Sequence, residues 1–297
     1  MVKIAFGMIV FQGDYVLRQC LEQIYPYATQ ILIAEGPVQY WQDKGYTTST
    51  DRTNEILHSF PDPENKIQIV HGQFIEKDQQ CNSYIKFMRD DIDYLWNVDS
   101  DEVYTKENLE KIIKVLDEQK PTSVGIRSIS FYGGFNNYLT GFELAKDNFL
   151  RIFKVSKGCR WKTHRPPTIE YPINLGIIKK HIDSDSLYKT TGAVMHHYSY
   201  VFPEQVKQKI EYYRAKVSLN KCLDNYYENI YMPWVQSSEL DRFQIEKRYQ
   251  GVHEFKPEYR GDCYTALYLG THPESIIKDL NHLNDRMKRQ IEAVQNA

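Results

Sequence analysis

The chain has 297 residues, enough for one large domain or one domain with an appendage, and its formal charge of -2 provides no bulk field toward nucleic acid or an anionic membrane. Nucleic acid as a partner or substrate is therefore disfavoured. The five cysteines (Cys20, Cys81, Cys159, Cys222 and Cys263) are scattered without a CxxC pair, which fits reduced thiols.

No apolar run is long enough to span a bilayer, and Met1-Val2-Lys3-Ile4 enters a strand-like run at once. The expectation is a cytoplasmic protein with no signal peptide and no membrane span. Lys3 to Phe11 predicts the first strand. Asp14 is placed to cap a helix reaching about Tyr25, with Val16, Leu17, Cys20, Leu21 and Ile24 on one face. Gln30 to Ala34 reads as a strand and Asp51 to Phe60 as a short helix stopped by Pro61 and Pro63. Lys66 to Val70 is a strand, Gln79 to Arg89 a helix, Asp93 to Val98 a strand and Thr105 to Gln119 a helix. This rhythm predicts an α/β fold with a mostly parallel central sheet flanked by helices.

After Pro121 the rhythm changes. Ser123 to Phe131, Asn148 to Val155 and Ala193 to Tyr200 read as strands, and Gly133 to Tyr138 as a loop. Pro203 opens a helix expected to reach about Leu219. Pro273 opens a last helix with the apolar stripe Ile276, Ile277, Leu280, Leu283, Met287, Ile291 and Val294. That stripe suits core packing or, as a second use, a homodimer through the C-terminal helices. The 23 tyrosines suit partly buried cores and stacking on sugars or bases.

The strand Tyr94-Leu95-Trp96-Asn97-Val98 runs into Asp99-Ser100-Asp101-Glu102. In parallel sheets ligands bind beyond the carboxyl ends of the strands. Two carboxylates aimed there suit a divalent cation carrying a diphosphate. A solvated acidic turn is the plainer reading of the same residues.

These features, in this order, resemble the nucleotide-sugar glycosyltransferases of the GT-A fold, in particular the bacterial family 2-like group. The resemblance runs from the first strand to Arg214. It rests on Ile4 to Val10 with Tyr15, Leu17, Cys20 and Leu21; on Ser49-Thr50-Asp51-Arg52-Thr53; and on Asn82. It rests also on the DxD motif Asp99-Ser100-Asp101 with its trailing Glu102, on Arg151-Ile152-Phe153, and on His197-Tyr198-Ser199-Tyr200 with Lys207 or Lys209 downstream. It implies a GT-A (Rossmann-like) domain over residues 1–202, with a nucleotide-binding half (1–120) and an acceptor-side half (121–202). A helical C-terminal extension (203–297) follows.

The implied activity is transfer of a sugar from a nucleoside-diphosphate-sugar, with UDP-sugar as the default, to a glycan or other hydroxyl acceptor. Inversion is the expected outcome, and the implied cofactor is Mn²⁺ or Mg²⁺. Asp101 is the leading metal ligand. Asp99 would ligate the metal, its water or the ribose, and His197 would touch metal or diphosphate. Glu35 and Asp51 are candidates for the nucleobase and ribose pocket, although Asp51 also suits a helix cap. Lys77 is placed to approach base or phosphate, or else is a plain exposed lysine. Arg151 pairs with phosphate or with a carboxylate near the site.

The segment Gln39 to Thr48 departs from the family pattern and would form a flap. So does Trp161-Lys162-Thr163-His164-Arg165, which lacks the glutamate that some relatives carry. For the acceptor-side base, His164 and Glu170 lead, with Glu143 and Asp147 as further carboxylates. Two other classes remain: a nucleotidyltransferase, against which the glycine-poor Phe11-Gln12-Gly13-Asp14 speaks, and a non-catalytic nucleotide- or glycan-binding module.

Overall fold

The structure is a computed structural model that describes residues 2–141, 149–172, 180–216, 224–253 and 263–295. Its main elements begin with β1 (Ile4–Val10), α1 (Leu17–Ile24), β2 (Gln30–Glu35), α2 (Thr53–Ser59) and β3 (Ile67–His71). Next come α3 (Lys77–Ile85), β4 (Tyr94–Asn97), α4 (Lys106–Gln119), β5 (Ser123–Tyr132), β6 (Asn137–Leu139) and β7 (Phe149–Lys154). They continue with β8 (Arg160–Thr163), β9 (Thr168–Glu170), β10 (Val194–Tyr200) and α5 (Pro203–Lys216). The last are α6 (Glu239–Tyr249), β11 (Thr265–Leu267) and α7 (Glu274–Gln295). The chain divides into two compact units, residues 1–127 with 148–195, and residues 128–147 with 196–297.

In the first unit the strand order is β3-β2-β1-β4-β7-β5. The β3-β2-β1-β4 block is parallel, with Gly7 opposite Asn97, Val10 opposite Glu35, and Glu35 opposite His71. Strands β1, β2 and β4 are buried on both faces, as Phe6, Ile31, Leu32, Ile33, Leu95 and Trp96 show, so they read as largely apolar runs, while β3 is only partly buried. Helix α3 packs on this block. Helix α4 starts at a Thr105 cap, whose hydroxyl accepts from the Asn108 N–H at 3.1 Å, and buries Leu109, Ile112 and Leu116.

The expectation of a mostly parallel sheet is corrected: the sheet is mixed. Strand β7 is antiparallel to both β4 (Leu95 opposite Phe153) and β5 (Val124 opposite Ile152). Parallel neighbours need a long crossover, usually a helix, and the described residues between β5 and β7 form none. Strand-like stretches look alike in either direction, so only the connection carried this information.

The second unit pairs the end of β5, β6 and β11 in antiparallel fashion, with Tyr138 opposite both Phe131 and Ala266. Its core gathers Tyr132, Tyr200, Tyr226, Tyr231 and Trp234. Five of the 23 tyrosines are buried in this core. Buried phenols must find partners. The Tyr226 hydroxyl donates to Val252 O at 2.6 Å, and the Tyr231 hydroxyl to Val201 O at 2.9 Å. In α7, Ile276, Leu283 and Met287 are buried as the stripe implied, while Ile277 and Val294 are exposed.

Gly133 turns the chain at φ +58°, and a β-carbon there would sit 2.2 Å from the Trp234 ring. Gly133→Ala is therefore expected to destabilise the protein by about 2–4 kcal/mol, through overpacking and left-handed strain. A shift of the urea midpoint at unchanged slope checks this.

Candidate functional site

The carboxyl ends of β1, β2, β3 and β4 lie along one edge of the first unit, and the polar residues gather there. Beyond β4, the turn Asp99–Glu102 is closed twice. The Glu102 N–H donates to Asp99 O at 3.0 Å, and the Asp99 N–H donates to the Glu102 carboxylate at 3.2 Å. The turn packs close to the β1 exit: a β-carbon on Gly13 would lie 2.8 Å from Ser100 Oγ, so glycine permits this approach.

Arg151, on β7, braces the turn from within. Its guanidinium donates to Asp99 Oδ2 at 2.8 Å and contacts the fully buried Glu102 carboxylate. Burial pushes Glu102 up to about 8 against the pull of Arg151, and Asp99 and Asp101 add to the rise. Burial opposes the Arg151 charge, but Glu102 and Asp99 outweigh it and hold the guanidinium protonated. Asp101 stands partly exposed on the same turn. The Cys20 thiol lies 3.9 Å from Asp99 O, and burial with the three acids pushes it well up, so it remains a thiol.

The β1 exit is knitted to the segment before α2. Gln12 takes a left-handed backbone (φ 52°), an unusual conformation for a non-glycine residue at such an edge. Its N–H donates to Ser49 Oγ at 2.9 Å, and its side-chain oxygen accepts from Thr50 N at 2.7 Å. Asp51 accepts from Thr53 N at 3.0 Å and from Asp14 N at 3.1 Å, so it serves as an end cap of α2 and a cross-tie at once. Burial raises the Asp51 carboxyl, the Thr53 bond opposes this, and nearby Asp14 adds to the rise. Asp14 does not cap α1. Its carboxylate accepts from Arg52 N at 3.4 Å, and the residue before α1 is Val16.

Glu35 is fully buried and accepts from Ser49 N at 2.8 Å, Thr48 Oγ1 at 3.1 Å and His71 Nδ1 at 3.0 Å. Burial raises its carboxyl, but the bonds from His71, Ser49 and Thr48 together hold it below the ordinary glutamate value. Its carboxylate is thus engaged in positioning the 48–49 segment.

On the other flank, α3 carries strand β8. The Asn82 side chain donates to Trp161 O and accepts from Trp161 N, both at 2.9 Å, substituting for a neighbouring strand. Asp78 accepts from His164 N at 3.4 Å. Trp161 and His164 are both buried, and among the described residues neither Trp161 Nε1 nor His164 Nε2 has a hydrogen-bond partner. Burial drives His164 down to about 3, with Lys77 the next cause and Asp99 opposing it. Lys77 is half-buried at the start of α3.

Two further candidates stand on other elements. Glu170 accepts from Arg160 Nε at 2.7 Å on the β8–β9 hairpin, where both side chains are substantially exposed. His197 is buried on β10, in the second unit. Its neighbour His196 bonds through Nε2 to the Tyr268 hydroxyl at 2.8 Å, and burial with His272 drives it to about 3. Tyr132 is fully buried, so neither it nor Trp161 presents an open stacking face. Glu143, Asp147 and Leu219 lie outside the described residues.

Gln12 and His71 were not anticipated as site residues, and nothing in their local pattern marks them. Their roles come from pairing between distant segments. Among the described residues no group of three or more His, Cys, Asp or Glu side chains is arranged to hold a metal ion.

His164 and His196, buried neutral in the folded protein, bind protons near pH 6.5 once unfolded. Between about pH 3 and 6.5 the unfolded chain therefore binds more protons. Their contribution to stability is complete above about pH 6.5 and is lost as pH falls, by up to about 1.4 kcal/mol per pH unit for each. Urea midpoints measured from pH 7 to 5 should fall accordingly, and the fall should be shallower in His196→Phe.

Residues 47–168 match the model of the family described as glycosyl transferase family 2. Among solved structures, S. aureus TarS is 12% identical over 85% of this chain and 43% of its own, with a TM-score of 0.38. S. aureus TarS 1-349 is 12% identical over 98% of this chain and 83% of its own, with a TM-score of 0.43. The same TarS 1-349 in complex with UDP-GlcNAc is 12% identical over 84% and 80%, with a TM-score of 0.40. The chain thus spans less than half the length of the first of these TarS chains. No curated protein matches.

Proposed function

We propose that the chain, whose residues 47–168 match the glycosyl transferase family 2 model, is a GT-A-fold glycosyltransferase that transfers a sugar from a nucleoside-diphosphate-sugar to an acceptor hydroxyl, with inversion. The observation that carries the reading is the Arg151-braced acidic turn at the end of β4, inside the segment that matches the family.

The turn's chemistry fits a hard dication. Mg²⁺ is commonly held by one or two carboxylates together with substrate phosphates and water, and Mn²⁺ accepts the same oxygen ligands. Asp101 and Asp99, both partly exposed, are the carboxylates that would hold the ion. Bound there, the ion would neutralise the leaving diphosphate. Arg151 and Glu102 hold the turn in shape, so that little reorganisation remains when the donor binds.

Gln12, Asp51 and Glu35 fix the neighbouring loop, against which the nucleoside would lie. With its carboxylate already engaged, Glu35 shapes that wall rather than offering a free oxygen. Lys77 and His164 form the opposite flank. His164 is neutral at working pH and only weakly basic, so we assign it as a hydrogen-bond partner of the reacting groups. Glu170 is tied to Arg160, which makes it the weaker candidate for a base.

Incubation with UDP-, GDP-, CMP- and dTDP-sugars should reveal one donor whose free nucleotide is released faster than without protein. Release should need Mn²⁺ or Mg²⁺ and stop with chelator. If one nucleotide binds but no donor turns over with any tested acceptor, the binding-module reading gains. Absence of both binding and turnover removes the donor-site reading.

A further inference from the structure

Gln80 stands outside the chemistry above. It lies on α3, is buried, and its side-chain amide donates to Ala34 O at 3.0 Å and to Gly36 O at 3.1 Å, with Val10 O at 3.5 Å. Only the amide nitrogen can donate, so these carbonyls fix the orientation of the group. The ladder between β1 and β2 explains why a donor is needed here. Val10 is opposite Glu35, and its carbonyl accepts from Gly36 N at 3.0 Å. In a parallel ladder the next rung would run from the Gln12 N–H to Gly36 O. Gln12 instead turns into the left-handed region (φ 52°), and its N–H goes to Ser49 Oγ at 2.9 Å. Gly36 is buried, so its carbonyl has to find a donor within the protein. The Gln80 amide is that donor. The Gln12 N–H can serve either Ser49 Oγ or the rung to Gly36 O, and it cannot serve both.

We propose that Gln80 is a positioning residue for nucleotide binding: by satisfying Gly36 O it releases Gln12 to hold the segment 49–51, the wall against which the nucleoside would lie. This inference rests on the donor-site reading above. Without the Gln80 amide, Gly36 O is left buried without this donor, or Gln12 returns to the ladder to supply one. That return would straighten the β1 exit. It would break the Ser49 contact and the bonds that the Gln12 side chain accepts from Thr50 N at 2.7 Å and Asp51 N at 3.2 Å. Gln80 is buried, so it acts through Gln12 and not by touching the ligand. Its loss should therefore fall on nucleotide affinity.

The test is a double-mutant cycle on the nucleotide affinity of the full chain, measured by calorimetry with Mn²⁺ and whichever of UDP, GDP, CMP and dTDP the parent binds. Gln80→Met removes the donor at similar length, and Ser49→Ala removes the acceptor that keeps Gln12 out of the ladder. Each should weaken binding by about tenfold. The double variant should bind little worse than the weaker single variant, and not by the product of about a hundredfold, because both changes act on the same bond. The proposal is overturned if folded Gln80→Met binds as the parent does, or if the double variant shows the full product, which marks a packing loss unconnected to Gln12. Should Gln80→Met not fold, Gln80→Asn, which keeps the amide but draws it back by one methylene, takes its place in the cycle. Absence of nucleotide binding by the parent removes the donor-site reading and this inference with it, whereas the two outcomes before it leave that reading standing.

Discussion

Above about pH 8, where Glu102 is ionised, replacing Arg151 with methionine is expected to destabilise the protein by about 3–5 kcal/mol, the cost of leaving a buried charge without its partner. Glu102 is fully buried beside the guanidinium, and Asp99 shares the same cation. Without Arg151, burial and the two neighbouring aspartates all act against the ionised Glu102. It would take up a proton or draw water into the core. The double variant Arg151→Met/Glu102→Gln removes the stranded charge and should recover at least half of the loss. Chemical denaturation of the parent and both variants tests this. A single-variant cost below about 1 kcal/mol would mean the brace is not structural.

Asp101→Asn should behave in the opposite way. Asp101 is partly exposed on the turn, so stability should change by less than about 0.5 kcal/mol. Transfer, by contrast, should fall by about 10²–10³-fold or more, because an amide offers the ion a neutral oxygen where the diphosphate's charge must be balanced. Steady-state rates of nucleotide release, with the denaturation midpoint measured on the same sample, separate the two effects. A variant that folds and turns over like the parent removes Asp101 from the donor site.

The contrast between these residues shows what the sequence could reveal. The strands of the parallel block were legible within about a residue at each end: β1, β2 and β4 because strands buried on both faces read as apolar runs, and β3 through its Ile67, Ile69 and Val70. The acidic turn was legible because it directly follows such a run. The brace was legible only as an alternative: Arg151 lies 49 residues from Glu102, and pairing with phosphate was the other reading. Asp14 looked like a helix cap but serves as a cross-tie to Arg52, because the chain between β1 and α1 folds against a loop about forty residues away. The direction of β7 was hidden for a similar reason, since apolar pattern marks a strand but not its sense. Asn82 was recognised by resemblance, yet its work as a backbone clamp on Trp161 appears only once α3 and β8 are brought together. Contacts within a segment were readable. Contacts between segments, which build most of the site, were not.

The central claim is that the braced turn binds a nucleoside diphosphate through a divalent ion. Calorimetric titration with UDP, GDP, CMP and dTDP, with and without Mn²⁺, tests it most directly. The account predicts that one nucleoside diphosphate binds, that binding requires the ion, and that Asp101→Asn abolishes it while the protein stays folded. Binding that is indifferent to Mn²⁺ and to Asp101→Asn, or no binding of any of the four by folded protein, would contradict it.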